Sequence, residues 1–343
     1  MAEVKLAFIG FGNVGQALAR LLVRKGKEIY QNYGITYQVT GIATARHGTA
    51  ISLSGIDLNQ ALEIVQQRGS LNELSRIPVS NMDEFLKLSQ ADVLFENSPV
   101  NYASGQPAID HIRRALNLGM HAITANKGPV VHAYFELSEL AKEHGKKFYF
   151  ESTVMDGAPI FSLYRETLPA AQLLKIQGIL NSTTNLILSR MEEGDTFDDA
   201  VRYAQSIGIA ETDPSGDIDG WDAAIKLAAL ASVLMNHPLK PQDVKREGIR
   251  KIDRTAIEEA QKEGKRWKLV CSAWREGDKV LARVTPEKVT PDSPLYNVNN
   301  TSSVVQFETD VLGLLTVFEQ DPSPDTTAYG LLADFIHAVG QRS

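Results

Sequence analysis

Residues 223–235 read AAIKLAALASVLM, in which Lys226 is the only charged residue and Ser232 the only other polar one. At helical spacing the apolar side chains cover every face. A helix of that kind is buried, so the Lys226 ammonium either lines a cleft or sits paired in the interior. Asp222 lies four residues earlier on the same helical face, within reach of that nitrogen or of a shared ligand. The approach to this helix is rich in acids: Glu211, Asp213, Asp217, Asp219 and Asp222. Acids near a helix N-terminus are favoured by its dipole, which accounts for Asp217 and Asp219 as capping and solubilising groups. Glu211 and Asp213 flank the turn before Pro214 and could hold a cationic substrate group such as an α-ammonium.

A second set of residues suits a nucleotide. Gly10-Phe11-Gly12-Asn13-Val14-Gly15 follows the apolar run at 6–9 and precedes Ala17, Leu18, Leu21, Leu22 and Val23 at helical spacing. Glycines so spaced permit a tight turn, let the backbone approach a pyrophosphate and bring strand and helix close, while the helix N-terminus offers N–H groups to the anion. The plainer role is a sharp turn alone, but the strand before and the helix after are the context a dinucleotide site needs. The second strand ends Gly41-Ile42-Ala43-Thr44-Ala45-Arg46-His47, with no carboxylate until Asp57. An acid there would bond the ribose hydroxyls and repel a 2′-phosphate, whereas Arg46 could meet that phosphate, so NADP is expected over NAD. The alternative is a solvated loop arginine. Lys127, in the turn TANKGP at 124–129, follows a strand whose carboxyl end is where open α/β sheets bind ligands, although such a turn also serves as a plain surface loop. The segments ESTVMDGAP at 151–159 and GILNSTTN at 178–185 carry small polar groups able to orient a ligand or a hard cation through oxygen atoms.

These residues need a frame. Strand-like segments at 6–9, 37–44, 91–95 and 121–124 alternate with helical ones at 108–118 and 134–144, which predicts a parallel, doubly wound sheet. One helix fits 58–67, but residues 46–80 find no other place and read as an insertion. After residue 148 the pattern changes to a strand at 174–180, helices at 186–191, 197–207 and 222–235, and strands at 265–274, 279–284, 303–308 and 312–318 of an antiparallel or mixed sheet. A last helix at 329–339 could return to the first domain.

The chain has 343 residues, too many for one comfortable core, and its 43% hydrophobic content supports an ordinary folded protein. Its 42 acids outweigh 35 scattered bases, which argues against a phosphate-tracking nucleic-acid surface. No segment approaches the length of a membrane span, and no basic leader with a long apolar stretch opens the chain. The lone Cys271 fits the core of a protein in a reducing compartment, so the cytoplasm is expected.

Taken in order, GFGNVG at 10–15, ITANKGP at 123–129, FESTVMDGAP at 150–159, GILNSTTN at 178–185 and AETDPSGDIDGWDAAIK at 210–226 resemble homoserine dehydrogenases. The likeness covers roughly residues 4–260. It implies a Rossmann-type α/β domain at 1–150 completed by a C-terminal helix at about 325–343, and an α+β substrate and dimerisation domain at 151–324. It also implies the interconversion of L-homoserine and L-aspartate 4-semialdehyde, in threonine and methionine biosynthesis, with hydride passing to or from a nicotinamide. By the same likeness Lys226 moves the proton at the alcohol oxygen and Lys127 contacts substrate and nicotinamide. Glu211, Asp213 and Asp222, with Thr183 nearby, would hold the amino acid. The cofactor contacts implied are Gly10, Gly12, Asn13, Val14 and Gly15 in the glycine turn, Thr44 and Arg46 beyond the second strand, and Asn97, Ser98 and Lys127. A sodium ion would sit at Glu151, Val154, Asp156 and Ala158, largely on carbonyl oxygens. The assembly implied is a homodimer.

Ile209, Ser182 and the loop at 318–325 depart from the family's commonest pattern, which keeps two other readings open. One is a related NAD(P)-dependent dehydrogenase of another small amino alcohol or hydroxy acid; the other is a silent cofactor-binding paralogue. The chain stops at Ser343 with no room for an appended regulatory domain, so threonine feedback through one is not expected.

Overall fold

The run at 6–9 lies within β1 (Val4–Ile9), whose side chains divide between two cores: Leu6 and Phe8 enter one cluster, Ala7 and Ile9 the other. A strand buried on both faces needs apolar residues at successive positions, which is why it reads as a run and not an alternation. The computed structural model describes residues 3–340. Residues 1–2 and 341–343, at the ends of the expected first domain, lie outside the described residues. The chain divides into two units, one holding residues up to 159 together with those from 323 onward, the other residues 160–322.

In the first unit β1 leads into α1 (Asn13–Tyr33), β2 (Tyr37–Ala43), β3 (Thr49–Ile51), α2 (Leu58–Gln66), α3 (Met82–Ser89), β4 (Val93–Glu96), α4 (Ala108–Asn117), β5 (His121–Thr124), α5 (Lys127–Glu143) and β6 (Phe148–Tyr149). The sheet order is β3-β2-β1-β4-β5-β6, parallel except for the edge strand β3, which runs antiparallel to β2. This is a Rossmann-type winding, and strand order reverses beside β1, where nucleotides bind in such sheets.

Two sequence expectations change here. Residues 46–80 are not an insertion: β3 extends the sheet, and His47 Nδ1 lies 2.9 Å from the Gly69 carbonyl while Thr49 N donates to Asn72 at 2.8 Å. Such a short strand held by polar contacts leaves no periodicity to read. Lys127 is not in a surface turn either, because α5 starts there, seven residues before the expected helix. The Asn126 side chain accepts from Gly128 N at 2.9 Å as its N-cap, and Pro129 falls within the first turn, where its missing N–H costs nothing.

The second unit contains β7 (Leu173–Ile179), α6 (Ser182–Glu192), α7 (Phe197–Ser206), α8 (Ser215–Ile218), α9 (Trp221–Leu234), β8 (Lys245–Arg246), α10 (Arg254–Lys262), β9 (Arg266–Glu276), β10 (Lys279–Val289), β11 (Ser303–Thr309) and β12 (Gly313–Glu319). Its sheet runs β12-β11-β7-β9-β10-β8, antiparallel but for β8 beside β10. Cys271 is buried in β9.

The chain then returns to the first unit as α11 (Pro324–Val339). Phe335 packs against Phe95 of β4 at 6.1 Å and Tyr37 of β2 at 5.8 Å between ring centres. The altered loop at 318–325 supplies the start of this helix: Ser323 caps it by accepting from Thr326 N at 3.2 Å, and Pro324 takes the first position. Among the described residues no helix is long and apolar enough to cross a membrane.

Candidate active site

The three glycines after β1 do different work. Gly10 has φ of 89°, and a Cβ there would lie 2.3 Å from the Asn97 carbonyl oxygen; one on Gly15 would lie 2.6 Å from the Gly10 carbonyl. Both positions are closed to side chains by backbone. Gly12 meets nothing within 4 Å, so the middle glycine faces open space, as a turn that receives a phosphate requires. Asn13 and Val14 follow as the first residues of α1, presenting N–H groups at the positive end of the helix.

Around this turn the other expected cofactor residues take different places. Thr44 closes the chain after β2: its hydroxyl accepts from His47 N at 2.7 Å and donates to the Gly48 carbonyl at 3.1 Å. Arg46 is exposed beside it and has no ion-pair partner among the described residues. Asn97 N donates to the Ile9 carbonyl at 2.7 Å, joining the end of β4 to β1, while its Nδ2 is buried without a hydrogen-bond partner among the described residues. A buried amide donor of that kind suits an incoming acceptor. The Ser98 carbonyl accepts from Asn126 Nδ2 at 3.1 Å. Lys127 is half-buried at the start of α5, where the helix dipole disfavours a cation unless an anion offsets it.

The segment expected to hold sodium is a tight turn against α11. Glu151 N donates to Asp334 at 2.7 Å, Ser152 Oγ to the Thr327 carbonyl at 2.7 Å, and Thr327 Oγ1 to Asp156 at 2.9 Å. Asp156 has φ of 39°, and a Cβ on Gly157 would lie 2.2 Å from the Thr326 carbonyl. Among the described residues no three His, Cys, Asp or Glu side chains gather into a metal site. The cation expected at Glu151, Val154, Asp156 and Ala158 would therefore have to rest on main-chain oxygens.

In the second unit the solitary lysine is paired. Lys226 Nζ donates to the Leu180 carbonyl at 2.8 Å and lies 3.4 Å from Asp222 Oδ2, with its side chain 15% exposed. Asn181 Nδ2 donates to Asp217 at 2.6 Å and to Asp222 at 3.0 Å, and its Oδ1 accepts from Thr184 N at 2.8 Å as the N-cap of α6. Asn181 thus fixes two acids beside one ammonium. Burial and then the neighbouring Asp222 charge raise the Asp217 carboxyl above its ordinary pKa. Thr183 is buried beside Asp217 and donates to the Ile209 carbonyl at 3.3 Å. Glu211 and Asp213 remain exposed; Asp213 accepts from Ser215 N at 3.1 Å, and neither touches this cluster.

Asp217, read from sequence as a capping group, instead joins this cluster, which the sequence did not signal because its helix, α8, is a single turn without periodicity. Asp219 is structural. It pairs with Arg250 at 2.5 Å, and its carbonyl accepts from Arg246, whose guanidinium stacks 3.8 Å from the Trp221 ring. A Cβ on Gly248 would lie 2.2 Å from the Ile218 carbonyl, so the 218–220 turn is clamped from outside.

A family model described as homoserine dehydrogenase matches residues 159–336, and one described as homoserine dehydrogenase, NAD binding domain, matches residues 10–151. A homoserine dehydrogenase of Methanocaldococcus jannaschii is 38% identical over 97% of this chain and 97% of its own. The chain belongs to the homoserine dehydrogenase family. An NAD(+)-dependent homoserine dehydrogenase of Pseudomonas canavaninivorans is 34% identical over 98% of this chain and 96% of its own. Among solved structures, a putative homoserine dehydrogenase of Archaeoglobus fulgidus superposes with a TM-score of 0.88 at 31% identity, over 98% of this chain and 100% of that one. A hyperthermophilic archaeal homoserine dehydrogenase in complex with NADPH gives 0.83 at 32% identity over 98% of both chains. As a homoserine dehydrogenase the chain is an NAD(P)-dependent oxidoreductase acting on a small molecule, built on an NAD-binding α/β sheet.

Proposed function

We propose that the chain interconverts L-homoserine and L-aspartate 4-semialdehyde with NADP preferred over NAD, Lys226 moving the proton at the reacting oxygen. The observation that supports this reading is the pairing of Lys226. An ammonium has three N–H groups; the Leu180 carbonyl and Asp222 face it, which leaves one to point at a substrate oxygen. Asp217, Asp222 and Lys226 together carry a net negative charge that favours an α-ammonium nearby. Asp217, Asp222 and Thr183 hold the amino-acid end from the buried side, and Glu211 and Asp213 from the exposed loop.

The nicotinamide, when bound, supplies or takes the hydride. Gly10, Gly12, Asn13, Val14 and Gly15 receive the pyrophosphate, Asn97 offers its buried amide, and Lys127 offsets charge at the start of α5. The exposed Arg46 takes the 2′-phosphate, with Thr44 shaping its turn. NAD dependence is the second reading, favoured by the Pseudomonas canavaninivorans relative. A monovalent cation, sodium, orders the turn at 151–158.

The active form is a homodimer. The edge strand β12 and the turn before it expose Val311, Leu312, Leu314 and Phe318, an apolar strip suited to a second copy. The buried thiol of Cys271 agrees with a cytoplasmic setting. Nicotinamide absorbance followed with aspartate semialdehyde plus NADPH, and then NADH, tests the reading. Turnover faster with NADPH is expected, and no turnover with either cofactor would overturn it.

A further inference from the structure

Glu96 ends β4 with its side chain fully buried. A carboxylate taken out of water is costly unless a cation and donors surround it. Oε1 accepts a short hydrogen bond from Ser98 Oγ and lies 3.2 Å from Nδ1 of His111, which is buried on α4. Oε2 is buried with no hydrogen-bond partner among the described residues. An apolar pair would fill this place at lower cost, so the polar pair calls for a purpose beyond packing.

The surroundings supply one. The peptide between Asn97 and Ser98 rests on Gly10, where a Cβ would meet Asn97 O at 2.3 Å and Ser98 N at 2.8 Å. Thr124 Oγ1 donates to the Glu96 carbonyl at 2.6 Å and accepts from Asn126 N at 2.9 Å. Asn126 in turn reaches the Ser98 carbonyl and caps the helix that begins with Lys127. The glycine turn and the start of α5 thus meet on the backbone of residues 96–98, which the buried Glu96 carboxylate holds through Ser98.

The geometry points to Glu96, backed by His111, as a positioning residue for the nicotinamide end of the dinucleotide: it fixes Ser98, and through Ser98 the Asn97 amide and the Asn126 cap. Neither Glu96 nor His111 touches the cofactor in this account, which rests on the reading of residues 97–98 as cofactor contacts. Loss of the pair loosens one end of the dinucleotide site and leaves the other intact.

The test compares the dissociation constants of NADPH and of 2′-phospho-ADP-ribose, which lacks the nicotinamide, on the full-length protein. In Glu96→Gln and in His111→Leu, NADPH should bind about tenfold more weakly while the adenine half stays within about twofold of wild type. His111→Asn keeps a donor near the Nδ1 position and should restore NADPH binding to within about threefold. Unchanged NADPH affinity in both variants, or equal weakening of both ligands, would overturn the proposal. If Glu96→Gln does not fold, the two His111 variants decide alone. Wild-type protein that binds neither ligand would instead remove the cofactor reading beneath it.

Discussion

Asn181 donates to Asp222 at 3.0 Å from a carboxamide whose oxygen caps α6, so the acid beside Lys226 is held by the end of another helix. Its second N–H goes to Asp217, which places two like charges around one neutral amide. Asn181→Ala removes the cap and leaves the acids to repel. A loss of about 2 kcal/mol in unfolding free energy is expected, together with a raised KM for the amino-acid substrate. Urea melts and steady-state kinetics check both.

Replacing Lys226 tests the chemical assignment. Lys226→Ala should lower kcat by about a thousandfold, the scale of a lost general acid, with the NADPH dissociation constant unchanged. Retained turnover would show that another group moves the proton.

The proposed preference for NADP rests on Arg46. Arg46→Ala should lower kcat/KM for NADPH by about tenfold, the scale of a lost charge-assisted hydrogen bond, and leave that for NADH nearly unchanged. Parallel losses with both cofactors would place the arginine outside the 2′-phosphate site.

Lys268 gives a signed dependence on pH. It is fully buried on β9, with its ammonium donating to Asn185 at 3.1 Å and to the Val298 carbonyl, and burial lowers its pKa from 10.5 to about 8. Between those values the unfolded chain keeps a proton that the folded chain has released, so stability rises with pH across that window. The gain for this one group is about 3 kcal/mol. Measured by urea unfolding from pH 7.5 to 10.5, wild type should gain on Lys268→Met by that order; parallel curves would refute the shift.

The apolar strip on β12 predicts association. Phe318→Lys puts a charge on the exposed face of an edge strand and should move the protein from dimer to monomer in sedimentation at micromolar concentration. A wild-type protein already monomeric there would sink the dimer.

Sequence reached the fold where burial was two-sided. β1 and β4 read as apolar runs because both faces are packed, and α9 showed its lysine because nothing after Asp222 in it is charged but Lys226. It failed where contacts are local and polar. β3 is too short for a period, and α10 buries only Ile257 and Ala260, leaving an unremarkable polar segment. The start of α5 was hidden because Gly128-Pro129 reads as a turn unless Asn126 is known to cap it. Asp217 and Glu96 needed three dimensions, though a charge closing the apolar strand VLFE was a signal at the carboxyl end of β4.

Phe335 of α11 covers Phe95 and Tyr37 in the core of the nucleotide-binding unit, yet it follows that unit's last strand, ending at Tyr149, only after the whole of residues 160–322. During synthesis the sheet therefore emerges with α1 and α2 on that face but the patch under Phe335 uncovered, and stays so while all of the intervening unit leaves the ribosome. Its greasy flank must be sheltered throughout that interval, by chaperones or by transient collapse. A helix translated only after the second unit is what makes the first unit whole.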